Sequence, residues 1–368
     1  CKPLGIARPM LVTDPGLAGL DMVTQTIDAA GTEEVPVTLF SDIKPNPVYS
    51  NITAGVSALR TAGCDGIIAF GGGSSLDAGK AIALKAAQPD DGIDFWNFEE
   101  GRRDWQQAVS PLPILAIPTT AGTGSETGRS SVVLDEATGR KVIITHPGMM
   151  PGIVIADPEL TLNLPAHITA ATGMDALAHC LEAYCSPFHN PLCDGVAVEG
   201  MRLVRENLTV AVKDGGNLAA RANMLAAAAM GSTAFQKGLG AIHAMSHPIG
   251  ALYDTHHGLT NAVVMPYVLT RNRDAISEKL ARISAYIGLT EDAADTTAGF
   301  KAFVAWTLDL RQQFDMPHTL AALGVPDDRF DELGDMAAAD PTALANPVAL
   351  TTDDFRGLFE AAHAGTLG

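Results

Sequence analysis

Four of the chain's ten histidines fall within fifteen residues: His243 and His247 in Gly240-Ala241-Ile242-His243-Ala244-Met245-Ser246-His247-Pro248, then His256 and His257 ahead of Gly258. The surroundings are apolar and small. Burying several imidazoles there is costly unless each has a partner, and one metal ion serves two or three of them. Upstream, Asp175 and His179 in Gly173-Met174-Asp175-Ala176-Leu177-Ala178-His179 are four residues apart, so on a helix a carboxylate and an imidazole share one face. Such a pair makes either a hydrogen bond along the helix or two ligands of a divalent cation, and the flanking Leu177, Ala178 and Leu181 argue against full exposure. One Asp with two or three His and no thiolate suits Fe(II) or Zn(II). It leaves positions open for a substrate oxygen, as catalytic sites do and closed structural sites do not.

A second chemistry lies in the first part of the chain. Phe70-Gly71-Gly72-Gly73-Ser74-Ser75-Leu76-Asp77 follows a β-type run and opens a helical stretch. The glycines let a ligand approach the backbone, and the free N–H groups of a helix start favour an anion such as pyrophosphate; the alternative is a tight connection only. Pro118-Thr119-Thr120-Ala121-Gly122-Thr123-Gly124-Ser125-Glu126 also follows a β-run and is dense in hydroxyls that suit a phosphate or ribose, or that form a polar capping loop. Asp14 and Asp42 each lie just past an early β-run, where a carboxylate either accepts from ribose hydroxyls or caps a turn.

These residues need elements to hold them. Arg8 to Thr13, Val35 to Phe40, Gly66 to Phe70, Pro113 to Ile117 and Ile153 to Ala156 read as short strands, with Ile52 to Thr61 and Leu76 to Lys85 as crossover helices between them. That alternation predicts βαβ units and a parallel sheet. After Leu164-Pro165 the sequence turns Ala-, Leu- and Met-rich without strand-like runs, which predicts about eight helices. The expected organisation is an α/β dinucleotide-binding domain over 1–165 and an all-α metal-binding and catalytic domain over 166–368. The chain's 368 residues exceed one ordinary core of roughly 100–200 residues, in keeping with two.

Composition excludes several partners. A formal net charge of −18 repels phosphate backbones and anionic lipid, and no Lys/Arg run offsets it locally, so no nucleic acid or membrane partner is expected. No apolar stretch reaches the roughly 20 residues that cross a bilayer, and no basic-then-apolar leader opens the chain, which predicts a cytoplasmic protein. Five cysteines, Cys1, Cys64, Cys180, Cys185 and Cys193, form neither a CxxC pair nor a regular framework and read as reduced thiols. The chain opens on Cys1 in what looks like the tail of a helix, so further native sequence is expected before it.

Four segments together, GGGSSLDAGKAI, PTTAGTGSE, ATGMDALAHCLEAY and GLGAIHAMSHPIGALYDTHHGLTNAVVMPYV, resemble the iron-containing (group III) alcohol dehydrogenases, in order and over nearly the whole chain. The resemblance implies a dehydroquinate-synthase-like fold, with the active site between an N-terminal dinucleotide domain and a helical metal domain. It implies Asp175, His179, His243 and His257 as metal ligands, with His256 a neighbour and His247 beside the metal on the proton path. Gly72, Gly73, Ser74, Asp77, Thr119, Thr120 and Thr123 match positions that hold pyrophosphate and nicotinamide, and Lys141 and Leu160 match further contacts. Two departures are visible. Ser41 stands where NAD-preferring members carry an acidic residue, with Asp42 one step on, which leaves NAD against NADP open; Thr127-Gly128-Arg129 replaces a hydrophobic-Thr-Arg pattern.

By that resemblance the cation, Fe(II) or alternatively Zn(II), acts as a Lewis acid on the oxygen of a small alcohol or aldehyde, with hydride passing to or from NAD or NADP. A homodimer or larger homo-oligomer is implied. The nearest alternatives are a glycerol-dehydrogenase-like zinc enzyme and a maleylacetate-reductase-like enzyme. A metal-dependent hydrolase or lyase with a phosphate-bearing substrate, or a non-catalytic metal-binding protein, would use the same ligands without a nicotinamide.

Overall fold

The computed structural model describes residues 1–31, 36–102 and 108–367. Its contacts divide the chain into two compact units, Cys1–Thr120 with Gly124–Thr161, and Ala121–Thr123 with Leu162–Gly368.

The first unit contains β1 (Pro9–Val12), α1 (Asp21–Ala30), β2 (Thr38–Phe40), α2 (Tyr49–Ala62), β3 (Gly66–Gly71), α3 (Gly73–Ala87), β4 (Ile114–Pro118), β5 (Ser130–Asp135), β6 (Arg140–Thr145) and β7 (Ile153–Val154). Five of the strands form a parallel sheet in the order β2-β1-β3-β4-β7. The central strands β3 and β4 are continuous apolar runs and are buried along their whole length, as parallel strands covered on both faces must be. From β1 the chain goes to β2 on one side and then to β3 on the other, so the strand order reverses between β1 and β3. In open α/β sheets the carboxyl ends of strands at such a switch point form a crevice for ligands.

The expected strands are present with ends trimmed by a few residues; Val35, the expected start of the second run, lies outside the described residues. Two elements were not expected. One is α1; the other is the antiparallel hairpin β5–β6, closed by the Asp135 carboxylate, which accepts from Ala137 N and Thr138 Oγ1. Val133, Val142 and Ile144 of the hairpin point inward, but two six-residue strands carry too little period to stand out beside a hydroxyl-rich loop.

The hairpin and the preceding loop are fastened to α3 by Lys80, fully buried, whose Nζ donates to the carbonyls of Ser125, Gly128 and Ser130. Burial lowers the pKa of this ammonium despite its ion pair with Asp77. Glu126 is buried in the same loop. Burial pushes its carboxyl up to about 7, against the pull of its own backbone and of Lys80. Between pH 4.5 and 7 the folded chain therefore holds a proton that the unfolded chain releases. The associated stability is complete below pH 4.5 and is lost as pH rises through about 7, by about 3 kcal/mol in all. Glu126→Gln is expected to remove this slope, so that melting temperature falls less between pH 5 and 8 than in the parent; equal falls would refute the assignment.

The second unit is helical throughout its regular structure: α4 (Ala166–Cys185), α5 (Pro191–Lys213), α6 (Leu218–Ala234), α7 (Ala241–Tyr253), α8 (His257–Arg271), α9 (Arg273–Tyr286), α10 (Thr296–Gln313), α11 (Phe330–Ala339) and α12 (Thr352–Ala364). Asn190, Asn217, Asp295 and Thr351 start α5, α6, α10 and α12 by accepting from backbone N–H groups of the first turn, as short polar N-caps do. Nine helices stand among the described residues where about eight were expected. Helix α4 is the axis of the unit. Seventeen of its twenty residues are buried, and it packs on α5, α6 and α8. A helix buried all round is usually apolar all round, yet α4 carries Asp175, His179 and Glu182 in its interior. Charged groups so placed require compensating partners.

Candidate functional site

Asp175, His179 and Glu182 follow one another at steps of four and three residues along α4 and so share one face. Helix α7 supplies His243 and His247 one turn apart; α8 begins at His257 and carries Asn261 one turn further. The Nε2 atoms of His257, His243 and His179 lie 3.5, 3.9 and 4.0 Å from Asp175 Oδ1. One nitrogen or oxygen from each of these four residues lies within 4.8 Å of the others. Three of the side chains are almost fully buried, while His257 keeps 26% of its side chain exposed and marks the accessible side.

The imidazoles are aimed by groups behind them. His243 Nδ1 donates to Glu182 Oε2 at 2.5 Å, and Glu182 Oε1 accepts from Ile242 N at 2.6 Å. His257 Nδ1 lies 3.3 Å from Ser246 Oγ, whose hydroxyl proton goes to His243 O. With Nδ1 protonated in both rings, Nε2 presents its lone pair toward Asp175. Burial lowers the His179 pKa to about 4 against the attraction of Asp175, so this ring stays neutral near pH 7. In His243 burial works against the charged ring, but the Glu182 hydrogen bond and the charges of Glu182 and Asp175 outweigh it and raise the pKa. Three imidazole nitrogens and one carboxylate oxygen converging in a buried site would repel one another through their lone pairs. A divalent cation is the group that such a donor set fits, and N/O ligands without thiolate suit iron or zinc.

Gly258 explains why a glycine follows His257. A Cβ there would run into the Ala171 backbone, with its carbonyl carbon at 2.9 Å, and would meet Asp175 Cβ at 3.0 Å. Only a residue without a side chain lets α8 start against α4, and that approach brings His257 to Asp175. Gly258→Ala is expected to lower stability by about 1–3 kcal/mol and to weaken metal retention; a variant with the parent's melting temperature and metal content would contradict this.

His247 stands beside the cluster, its ring 5.6 Å from His257 and 5.9 Å from His243. His247 Nδ1 donates to Asp340 Oδ2 at 2.8 Å, and Asp340 Oδ1 accepts from Thr342 N at 2.9 Å and Thr342 Oγ1 at 2.6 Å. Burial alone would raise the Asp340 pKa, but His247 and Thr342 hold it below the ordinary carboxylate range. His256 stands apart: it caps α8, its Nδ1 accepting from Leu259 N.

Three of these groups were not expected from sequence. Glu182 sits three residues beyond His179, and Asn261 four beyond His257, so helical spacing alone would have put each on the right face. Asp340 is 93 residues from His247 and has no local signal.

In the first unit, the expected cofactor residues sort into three groups. Asp14, Gly72, Gly73, Ser74, Thr119 and Thr120 gather at the carboxyl ends of β1, β3 and β4. Ser75 Oγ donates to Asp14 Oδ2 at 3.3 Å, Thr119 N donates to Gly71 O at 2.9 Å, and a Cβ on Gly72 would touch Thr120 at 3.4 Å. Gly71 takes φ 137°, where an added Cβ would meet Ser75 Oγ at 2.7 Å, so this turn into α3 requires glycine. The start of α3 carries no acidic residue and its free N–H groups face this crevice end. Ser41 and Asp42 follow β2, the neighbour of β1.

Other expected cofactor residues also have contacts within the chain. Asp77 uses both carboxylate oxygens within the fold, one with Ser125 Oγ and Lys80 and the other with Val132 N, and so ties α3 to the hairpin. Lys141 donates to Asn46 Oδ1 at 2.6 Å, and Leu160 packs under the sheet with Leu11, Ile68, Phe70, Leu115 and Ile117. Asp14 Oδ1 also closes its own turn, accepting from Gly16 N and Leu17 N. Thr123 belongs with the helical unit.

A parallel sheet with a glycine-rich turn at its switch point, and a helical unit with an N3O cluster, define a metal-dependent dinucleotide enzyme. Residues 1–158 match the family model described as iron-containing alcohol dehydrogenase, and residues 169–363 match that of the Fe-containing alcohol dehydrogenase family, C-terminal. The chain is similar to 4-hydroxybutyrate dehydrogenase of Cupriavidus necator, 38% identical over 98% of this chain and 93% of the relative. It is similar also to 1,3-propanediol dehydrogenase of Citrobacter freundii, 38% identical over 94% and 89%. Among solved structures, a 1,3-propanediol oxidoreductase superposes with a TM-score of 0.91 at 36% identity, covering 98% of this chain and 94% of that one. The chain belongs to the iron-containing alcohol dehydrogenase family. It is a metal-dependent oxidoreductase of alcohols and aldehydes whose family cofactors are an iron ion and NAD(H). No described helix is long and apolar enough to cross a membrane.

Proposed function

We propose that the chain interconverts a short primary alcohol and its aldehyde, with Asp175, His179, His243 and His257 holding the cation and His247 carrying the proton. The observation that supports this most is the convergence of three histidine Nε2 atoms on Asp175 Oδ1. Relatives named for 4-hydroxybutyrate and 1,3-propanediol give the substrate class. Residues 1–165 serve as the dinucleotide domain and 166–368 as the metal and catalytic domain. The pyrophosphate lies at Gly72, Gly73 and Ser74, with Asp14, Thr119 and Thr120 beside it, and the Asp42 carboxylate or Ser41 meets the adenosine ribose.

Bound among these residues, the cation supplies Lewis acidity that lowers the pKa of the substrate hydroxyl. The protein contributes geometry: Glu182 and Ser246 set the imidazole tautomers, and burial keeps His179 neutral. Because His247 keeps its Nδ1 proton on Asp340, its Nε2 is the atom that takes up or returns a proton. We further propose a cytoplasmic location and, from the family resemblance, a homo-oligomer.

The test is anaerobic: metal-stripped protein reloaded with Fe(II) or Zn(II) and offered NADH or NADPH with a panel of small aldehydes. Metal-restored cofactor oxidation is expected, and comparing the two cofactors ranks NAD against NADP. No oxidation, with no cofactor binding by fluorescence, would overturn the assignment and favour a hydrolytic or lyase reaction.

A further inference from the structure

Asn261 is fully buried on α8, one turn beyond His257. Its Nδ2 lies 2.8 Å from Asp175 Oδ1, 3.2 Å from His257 Nε2 and 3.3 Å from His243 Nε2, so one NH2 group faces three of the four atoms assigned above to the cation. Its Oδ1 is buried and meets no hydrogen-bond donor among the described residues. A buried polar atom left without a partner costs about 1–3 kcal/mol and calls for an explanation.

We propose that Asn261 is a fifth protein group of the metal centre: its NH2 holds Asp175, His243 and His257 together in metal-stripped protein, and its Oδ1 turns to the cation when one binds. The proposal rests on the four-ligand reading. A carboxylate oxygen only accepts, and both histidines carry their protons on Nδ1, toward Glu182 and Ser246. Three lone pairs therefore meet one NH2 group, which relieves their mutual repulsion and keeps the ligands in place. A cation needs the same lone pairs. Once they are committed to it, an N–H pointing the same way aims the positive end of its dipole at the cation, which is unfavourable in a buried site of low dielectric. The amide nitrogen and oxygen are nearly equal in size, so a half-turn about the last side-chain bond exchanges them without repacking. That turn replaces a repelled donor with a neutral oxygen ligand of a kind that divalent iron and zinc accept.

Co(II) serves as the probe, with wild type, Asn261→Ala and Asn261→Asp stripped and titrated against a competing chelator. Asn261→Ala is expected to weaken Co(II) binding by about tenfold or more, and to intensify the visible cobalt bands because the ion loses a ligand. Asn261→Asp keeps the shape but only accepts. It is expected to bind Co(II) at least as tightly as wild type, while its stripped form melts lower because two carboxylates then face each other. Wild-type affinity and spectrum in Asn261→Ala would overturn the proposal. So would weaker binding in Asn261→Asp, the outcome for a residue that must keep donating to Asp175 in loaded protein. Should Asn261→Ala not fold, the two Asn261→Asp readouts decide. If Asp175→Asn binds Co(II) as tightly as wild type, the metal-centre reading fails, whatever Asn261 does.

Discussion

Asp175→Asn protein, stripped and reloaded with Fe(II), is expected to retain no stoichiometric metal and to reduce aldehydes about 10³-fold or more slowly than the parent, since losing the cation removes several kcal/mol of transition-state stabilisation. Asp175 is the one carboxylate in the cluster, and its Oδ1 is the point on which all three Nε2 atoms converge. Substitution removes the anionic ligand and places an amide among three imidazoles and the Asn261 amide. His179→Ala should behave similarly, because burial keeps that ring neutral and its lone pair available. Metal analysis and single-turnover cofactor oxidation on folded variants decide the matter. A variant with a full metal complement would show that Asp175 is not a ligand.

Replacing His247 should give a different pattern. His247→Ala is expected to keep its metal and to bind cofactor, with kcat lowered by about 10²–10⁴-fold, the range for loss of a positioned proton-transfer group. The ring touches the cluster edge-on and face-on, but its Nδ1 is committed to Asp340, which places it in the proton path and outside the ligand set. Asp340→Asn supplies the second half of the test. An amide in that position can present N–H to Nδ1, which pushes the histidine proton onto Nε2 and leaves no lone pair to accept. The pH profile of kcat should therefore flatten in both variants while metal content stays at the parent's level. Loss of metal from His247→Ala would move this residue into the ligand set.

The metal cluster and the phosphate turn were legible in sequence for the same reason: each is local. A four-residue step puts Asp175 and His179 on one helix face whatever the helix packs against, and a run of glycines between a strand and a helix constrains the backbone before any tertiary contact forms. Resemblance then singled out His243 and His257 from four nearby histidines, which spacing alone left open. The β5–β6 hairpin was not legible because its inward residues are few. The partners of Asp77 were not legible, because its place in a glycine-rich motif says nothing about where its carboxylate points; the fold turns it toward Ser125, Lys80 and Val132.

By itself the sequence determined which side chains can bind a cation or an anion, the alternation that makes a parallel sheet, the change to helices beyond Pro165, and the negative charge that disfavours nucleic acid. Tertiary structure decided what those side chains do. The close start of α8 against α4 at Gly258 brings His257 to Asp175, the return of the chain after α11 places Asp340 behind His247, and the packing of α7 on α8 and α11 brings His243 to Glu182. Hydrogen bonds and charge interactions act over a few ångströms in space, whereas residue spacing reports only on neighbours along one element, so partners 61 and 93 residues apart become visible only in the folded chain.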